Sequence, residues 1–507
     1  MKHINKYIIS LSIVFIFFSG CTKDLNLNPV SQISNSSFWK TEADAKGGLF
    51  GMYNDLRAPA VRGFCFWGEL RGETVGPGVN GTQSYNQYIL NDLDAVNVGP
   101  TGFNPQGDWI NLYRVVHDAN LVLKNAPGIS FASDAAKNNL LAQAYTMRAF
   151  VYYMMVRTWG DLPLITDPIS GEALGDLQKE RTPAAQIFAF IKADLAQAEK
   201  LFSDMKFTAG SIGRATWSKP SMLALKGDVY LWTGKRLKGG NPDFTIALDA
   251  LTQIETADVT LLTNFGDVFS PANKGNKEIL MAVRFQNPES QQNIFQELYI
   301  ASAFMPPNAD DASRAALGVL GGNGFLSISE TARSQFTTDD TRKNATFIDI
   351  YRITPPNPPV LFTSVQYKFK GIVENGARLF YDDVIIYRFA DVLLMKAEAK
   401  NALAQDPTSE LNRVRQRAYA ANFPAHTFVN GSQAQNDDAI LKERLFELIF
   451  ENKRWWDLVR FNKAFDLVPS LQSRATLANK EYLYLFPFSN ETLSLETKIK
   501  QNPGYKP

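Results

Sequence analysis

The sequence predicts a mainly α protein: a scaffold of paired helices interrupted by a loop-rich, irregular subdomain carrying short strands. Two observations carry this. Apolar residues recur at helical spacing in separate windows between about residues 109 and 256, and again from 388 onward. Between those windows, residues 260–387 hold NPES, MPPNADD, GVLGGNGF and PPNPP, with short apolar runs and no sustained helical period. That stretch is too long for one loop, so it needs short strands and helices of its own.

The elements follow in order. Ser37 fits an N-cap for a first helix through Thr41–Arg57, with Phe38 and Trp39 as its apolar end. Residues 58–108 are rich in Gly, Pro and Asn, as in GPGVNG at 76–81 and GPTGFNPQG at 99–107, and read as long loops with short strands or turns. Trp109, Leu112, Tyr113, Val116, Asn120 and Leu123 then share one helical face, and Pro127-Gly128 stops that helix. The next helix spans about Ala135–Arg157. Further helices are expected over Pro183–Leu201, Lys219–Thr233 with Gly234 as its stop, Asp243–Ile254, Arg388–Leu403, Thr408–Ala420 and Ala439–Val459. In ALKGDVYLWTG, Ala224, Gly227 and Tyr230 have a spacing that loosely resembles the tetratricopeptide pattern. LMKAEAKNAL at 394–403 echoes it. Small residues there suit the crossing points of close-packed helix pairs.

The N-terminus carries a signal of its own. Lys2 and Lys6 precede an apolar run, Tyr7–Phe18, which is too short to span a bilayer. Ser19, Gly20 and Cys21 follow, the pattern of a lipobox, with Phe18 where Leu is usual. Residues 1–20 are therefore expected to be removed, Cys21 to be acylated, and 21–37 to serve as a lipid-anchored tether. Several acyl chains on one cysteine give a stable anchor. The competing reading, a buried N-terminal helix, is disfavoured by the flanking lysines and the polar segment after Cys21. No later stretch approaches the length of a transmembrane helix.

Composition excludes several functions. The formal net charge is +1, and about −1 once Lys2 and Lys6 leave, which argues against nucleic acid as a partner. Only two cysteines exist, so acylation of Cys21 leaves Cys65 without a disulfide partner. Cys65 reads as a small buried hydrophobe. Only His117 and His426 remain after the signal segment, which rules out an HExxH zinc site. No EF-hand-like spacing is present. The 12% of aromatic residues, 35 of them Phe, is generous enough to supply both a core and rings for stacking on sugars.

Five blocks, in order, resemble the SusD/RagB family of outer-membrane nutrient-binding lipoproteins. They are GELRGET (68–74), AYTMRAFVYYMMVRTWGDLPLI (144–165), YRFADVLLMKAEAKNAL (387–403) with LNRVRQRA (411–418), LKERLFELIFENKRWWDLVRF (441–461), and the tail LFPFSNETL…QNPGY (485–505). Departures are Gly72-Glu73, where members often carry another acid, and Trp159 in place of a common Phe. The residues also have a plain physical reading. Leu441, Leu445, Leu448 and Ile449 form a buried stripe, while Glu443, Glu447 and Glu451 stand four apart. With Arg444 and Arg454 they read as an ion-paired helix rather than an acid/base pair. Arg148, Arg157, Arg388, Glu398, Arg413 and Arg417 read as scaffold too. In TWGDLP, Gly160 is expected to stop the helix, and Asp161 to hydrogen-bond the turn.

The resemblance implies a SusD-like fold: one body over 38–507, with helical scaffold at about 38–57, 109–256 and 388–507, and ligand-binding loops at about 58–108 and 260–387. It implies a non-enzymatic, surface-exposed lipoprotein on the outer membrane. Such a protein binds an oligosaccharide and delivers it to a SusC-type TonB-dependent transporter. A minority of relatives take peptides. A surface glycoside hydrolase would need two carboxylates at a set separation, and no block resembles one. A pure helical-repeat scaffold would not carry so long an insertion. No cofactor is implied, though some relatives hold a loop calcium. Thr22-Lys23-Asp24 partly match the charged signal that follows the lipidated Cys in surface-exported lipoproteins. Rigid helices position and loops recognise, so ligand contacts are expected in the loops: Trp67, Arg71, Tyr85, Asn86, Tyr88, Phe103 and Asn104 in the first, and Tyr299, Phe304, Asn308 and Phe325 in the second. Trp67, beside Gly68, heads this set, whereas Arg71 and Glu73 also suit a structural role.

Overall fold

A computed structural model describes residues 38–82, 85–94, 109–169, 178–210, 212–289 and 292–506. The signal segment, Cys21 and the tether lie outside these residues, as do Ser37, Phe103 and Asn104. Helix accounts for 53% and strand for 9%, so the mainly α expectation holds.

Helix α1 (Glu42–Asp55) starts at a capping box. Thr41 Oγ1 accepts from Asp44 N–H, and the Asp44 carboxylate accepts from Thr41 N–H at 2.7 Å. Then come α2 (Ile110–Asn125), α3 (Asp134–Trp159), α4 (Ala184–Leu201), α5 (Lys219–Arg236) and α6 (Gly240–Gln253). After the insertion follow α7 (Phe389–Ala402), α8 (Thr408–Tyr419), α9 (Gln433–Leu448) and α10 (Arg454–Arg460). Neighbours pack in sequence: α3 on α2 and α4, α5 on α6, α6 on α7, and α7 on α8 and α9. Nearly every side chain of α3 beyond Leu140 is buried, so this helix is the spine of the core.

The last long helix, α9, starts at Gln433, six residues before the expected Ala439, and three further boundaries differ from the sequence reading. Residues 57–68 are two short helices rather than loop, because Phe64, Cys65, Phe66 and Trp67 form a buried apolar run. Helix α5 continues through Gly234, whose missing side chain admits Phe244 of α6. A Cβ there would stand 2.3 Å from that ring. The last long helix breaks at 449–453, where Phe450 (φ 67°) and Asn452 (φ 61°) turn left-handed. The break lets Phe450 N–H donate to buried Glu69 and swings Glu451 back toward Arg388. By contrast, α3 does end at Gly160, and Asp161 Oδ1 accepts from Ala184 N–H at the start of α4 (2.7 Å).

The strands are β1 (Val75–Pro77), β2 (Ile279–Val283), β3 (Leu326–Ile328), β4 (Phe347–Arg352), β5 (Val360–Gln366), β6 (Ile372–Glu374), β7 (Ala377–Leu379) and β8 (Val384–Arg388). Among the described residues they form antiparallel pairs: β1 with β3, β2 with β8, β4 with β5, and β6 with β7. Two of these pairs fix the architecture. β2 and β8 bring the two ends of the insertion together, and β1 and β3 join the first loop region to the second.

A buried ionic cluster locks the insertion to the helices. Five carboxylates, Glu278, Asp340, Glu443, Glu447 and Glu451, face five cations, Arg342, Lys368, Arg388, Arg415 and Arg417. Glu447 is its hub. It accepts from Arg388 (2.6 Å), Arg342 (3.1 Å) and Arg417. Burial pushes the Glu447 carboxyl up, but Arg417, Arg388 and Arg342 outweigh burial and hold it far below the usual carboxylate range. Removing one partner from such a site strands the others. Glu447→Gln is therefore expected to cost about 3–5 kcal/mol, read as a lower denaturant midpoint. An unchanged midpoint would show that the cluster does not support the fold.

Candidate ligand-binding surface

The two loop regions meet at the β1–β3 seam. Val75 lies opposite Ile328 and Pro77 opposite Leu326. The pairing runs on beyond the strands: Gly78 N–H donates to Phe325 O and Asn80 N–H to Gly324 O, both at 2.9 Å. Glycine at 78 is required by this approach, since a Cβ would stand 2.1 Å from Gly324 O. Asn80-Gly81-Thr82 then turns the chain. Asn80 Oδ1 accepts from Thr82 N–H (3.0 Å) and Thr82 Oγ1 (2.8 Å), while its Nδ2 donates to Asn323 O (2.9 Å).

Polar contacts continue inward from this turn. Asn323 Nδ2 donates to Glu297 Oε2 (3.1 Å), and Glu297 Oε1 pairs with Arg62 (2.9 Å). Tyr85 stands edge-on to Phe325, with ring centroids 6.3 Å apart, and packs against Phe66 at 5.2 Å. Its hydroxyl is buried and has no hydrogen-bond partner among the described residues. Burial, with Glu297 nearby, pushes that phenol up, so it stays a neutral donor. The outer face of the seam thus presents the half-buried Phe325, Asn323 and Val79, and the exposed Gly81, Thr82 and Asn86.

The expected ligand residues divide sharply. Asn86 and Asn308 are exposed, and Phe304 and Phe325 are half-buried. Trp67, Tyr88, Tyr299 and Tyr85 are 2%, 2%, 0% and 4% exposed, which leaves their rings no open face for a sugar. Trp67 packs against Trp159 (5.3 Å) and Phe64 (6.1 Å). Tyr299 donates its hydroxyl to Leu317 O (2.9 Å). Arg71 is buried against Trp455, 3.9 Å from the ring centroid, and donates to Asn91 Oδ1 and to the carbonyls of Leu483 and Tyr484. It ties the first block to the tail. Glu73 pairs with Arg454. Asn80 and Asn323 were missed by sequence reasoning; the Asn-Gly-Thr turn was a visible signal for the first, and nothing local marks the second.

Chemistry at other sequence candidates is quiet. Cys65 is buried, and burial pushes its thiol well up, away from a nucleophilic thiolate. Among the described residues no three His, Cys, Asp or Glu side chains gather to hold a metal ion. No described helix is long and apolar enough to cross a membrane.

Comparisons with known proteins agree with the block pattern. Residues 374–505 match the family model described as the SusD family, and residues 73–219 match one described as "Starch-binding associating with outer membrane". The structure is similar to that of NanU from B. fragilis, with a TM-score of 0.82 and 31% identity over 95% of this chain and 100% of NanU. SusD-like protein P38 from Formosa agariphila is 27% identical over 90% of this chain and 93% of its own length. Surface glycan-binding protein A from Bacteroides thetaiotaomicron, solved in complex with laminarihexaose, shares the fold. Its TM-score is 0.70 at 17% identity, over 91% of this chain and 100% of its own.

Because Trp67 is core, its truncation tests stability rather than recognition. Trp67→Ala is expected to cost about 3–5 kcal/mol, seen as a lower melting temperature. Full stability with lost affinity would return the ring to the ligand site.

Proposed function

The chain belongs to the SusD family, and on that premise we propose that it is a lipid-anchored surface protein that captures a nutrient oligosaccharide. Bound ligand then passes to a SusC-type TonB-dependent transporter for import. In this reading the whole of 38–507 is one body: the helices form the scaffold and the transporter-facing side, and the two loop regions recognise the ligand. The role is binding without turnover.

The observation that supports it best is the β1–β3 seam. Both loop regions contribute to one surface, which presents an aromatic ring (Phe325), amides (Asn86, Asn323) and a hydroxyl (Thr82), with the buried Asn80 bonding Thr82 and the Asn323 carbonyl from beneath. Apolar ring faces suit the C–H face of a pyranose, and amides suit its hydroxyls. The starch-binding description of the matched family model points to the same ligand class. The carboxylates of the buried cluster around Glu447 are each paired with arginine or lysine, an arrangement for holding a scaffold rather than for proton transfer.

The test is calorimetric titration of the chain from Thr22 onward against plant, fungal and host oligosaccharides and mixed peptides. One glycan class should bind. Binding to peptides alone would move the protein to a peptide-capturing role. Phe325→Ala should weaken the glycan by about tenfold, close to 1.4 kcal/mol, while melting stays cooperative. Unchanged affinity would place the ligand elsewhere. Separately, Cys21→Ala should shift the protein from the outer-membrane fraction to the soluble fraction, and persistence in the membrane would overturn the lipid anchor.

A further inference from the structure

A second pocket, sharing no residue with the seam, opens between α2, the turn after α3 and the C-terminal helix Asn490–Leu495. Its volume is about 180 Å³, somewhat larger than the ~150 Å³ apolar cavity that accepts benzene. Its walls are fixed by the fold. Trp109, the N-cap of α2, and Tyr113, one turn into it, stand edge-on at 5.4 Å, and Trp109 packs on Phe488 at 4.8 Å. The Tyr113 hydroxyl donates to Pro163 O at 2.6 Å. Gln178 Nε2 donates to Leu495 O at 3.1 Å, which ties the C-terminal helix to the chain before α4. Ile165 completes the apolar lining. At the rim, Ile110, Ile169 and Leu495 are large apolar side chains left 54%, 44% and 63% exposed.

One wall carries a carboxylate that this surface does not explain. Glu496 lines the pocket and is half-buried, yet among the described residues its side chain forms no hydrogen bond or ion pair. Burial raises its affinity for a proton, and among the described residues no cation stands close enough to oppose that. Lys179 also lines the pocket, but its ammonium is exposed and forms no ion pair with Glu496 or Glu491. His117, one turn beyond Tyr113 on α2, is shifted toward its neutral form by burial. A half-buried carboxylate without a partner carries a desolvation cost that a bound cation would relieve.

We propose that this pocket binds a ligand with an apolar body and a protonated amine: the body lies on Trp109, Tyr113 and Ile165, and the ammonium faces the Glu496 carboxylate. A free organic amine and the stem of a lysine side chain share this chemistry, since both pair a hydrocarbon with a cationic head. The apolar lining selects the body, and the carboxylate selects against neutral isosteres. The site is independent of oligosaccharide capture at the seam.

The test is titration of the full chain from Thr22 with 2-phenylethylamine, and with 2-phenylethanol as its neutral isostere. The amine should bind saturably at one site, at least tenfold more tightly than the alcohol. In Glu496→Gln that preference should vanish while glycan binding is retained. A capped peptide with one lysine that binds more tightly than the free amine would assign the pocket to a protein side chain. The reverse order would assign it to a small molecule. Either order supports the site. Absence of saturable binding by amine and peptide alike, equal binding of amine and alcohol, or an undiminished preference in Glu496→Gln would each overturn it. Because glycan affinity is read on the same samples, failure here is separable from failure of the oligosaccharide role.

Discussion

The carboxylate of Glu447 is the point on which the two halves of this molecule depend. It projects from α9, and the three arginines that reach it come from three places: Arg388 from the end of β8, Arg417 from α8 and Arg342 from the insertion. Glu278, just before β2, closes the circle by pairing with both Arg388 and Arg417. Each of these ions would be very costly to bury alone, and a buried pair repays its desolvation only when geometry is good and every head group is satisfied. Here the charges balance, and Arg388 alone bonds Glu278, Glu447 and Glu451. Hydrophobic contacts would hold these elements together in many registers. Matched charges hold them in one, which is how such a cluster contributes specificity rather than raw stability.

A second cluster extends the same logic across the helices. Arg460 bonds Glu398 of α7, Asp228 of α5 and Asp457 of α10, while Arg444 of α9 bonds Asp391 of α7 and Asp457. Burial raises the Glu398 carboxyl, but Arg460 and Lys235 prevail and hold it at about 2. Four helices distant in sequence are thereby pinned at shared side chains. The break at 449–453 belongs to this design. A continuous helix would carry Glu451 onward along its axis, whereas the left-handed residues Phe450 and Asn452 return it to Arg388 and Lys368. The ionic chemistry of the conspicuous blocks is thus structural, and recognition is left to what the scaffold displays.

Much of this was legible in the sequence. Helical period, caps and stops located most of the long helices to within a few residues, and the four-residue spacing of Glu443 and Glu447 beside arginines read correctly as ion-paired scaffold. What escaped has a common cause. The pairing of β1 with β3 joins Val75 to Ile328 across some 250 residues, and strands of three residues leave no periodicity to detect. The helix break at 449–453 is dictated by partners on other elements. Burial of Trp67 is dictated by Trp159 and Phe64, neither of which its Gly-rich neighbourhood reveals. Aromatic residues in a segment rich in Gly and Asn look the same whether they face solvent or core. Only the packing of α3 against 57–68 decides.

That decision shapes what the seam would offer a ligand in the proposed role. With Trp67, Tyr85, Tyr88 and Tyr299 committed to the core, the described outer face of the seam offers Phe325 as its ring, beside amides and a hydroxyl held by their own network. Stacking on one ring discriminates poorly between sugars, because most pyranoses present an apolar face. Amides held by protein partners present their remaining hydrogen-bonding sites in one orientation, and a ligand that fails to match them forgoes net hydrogen bonds of about 0.5–1.5 kcal/mol each. Asn323 is fixed in this way through Glu297, and the buried Asn80 holds Thr82. Under the proposed role, selectivity would therefore rest on the pattern of ligand hydroxyls more than on hydrophobic area, with Asn323 held from beneath by Glu297, itself paired with Arg62.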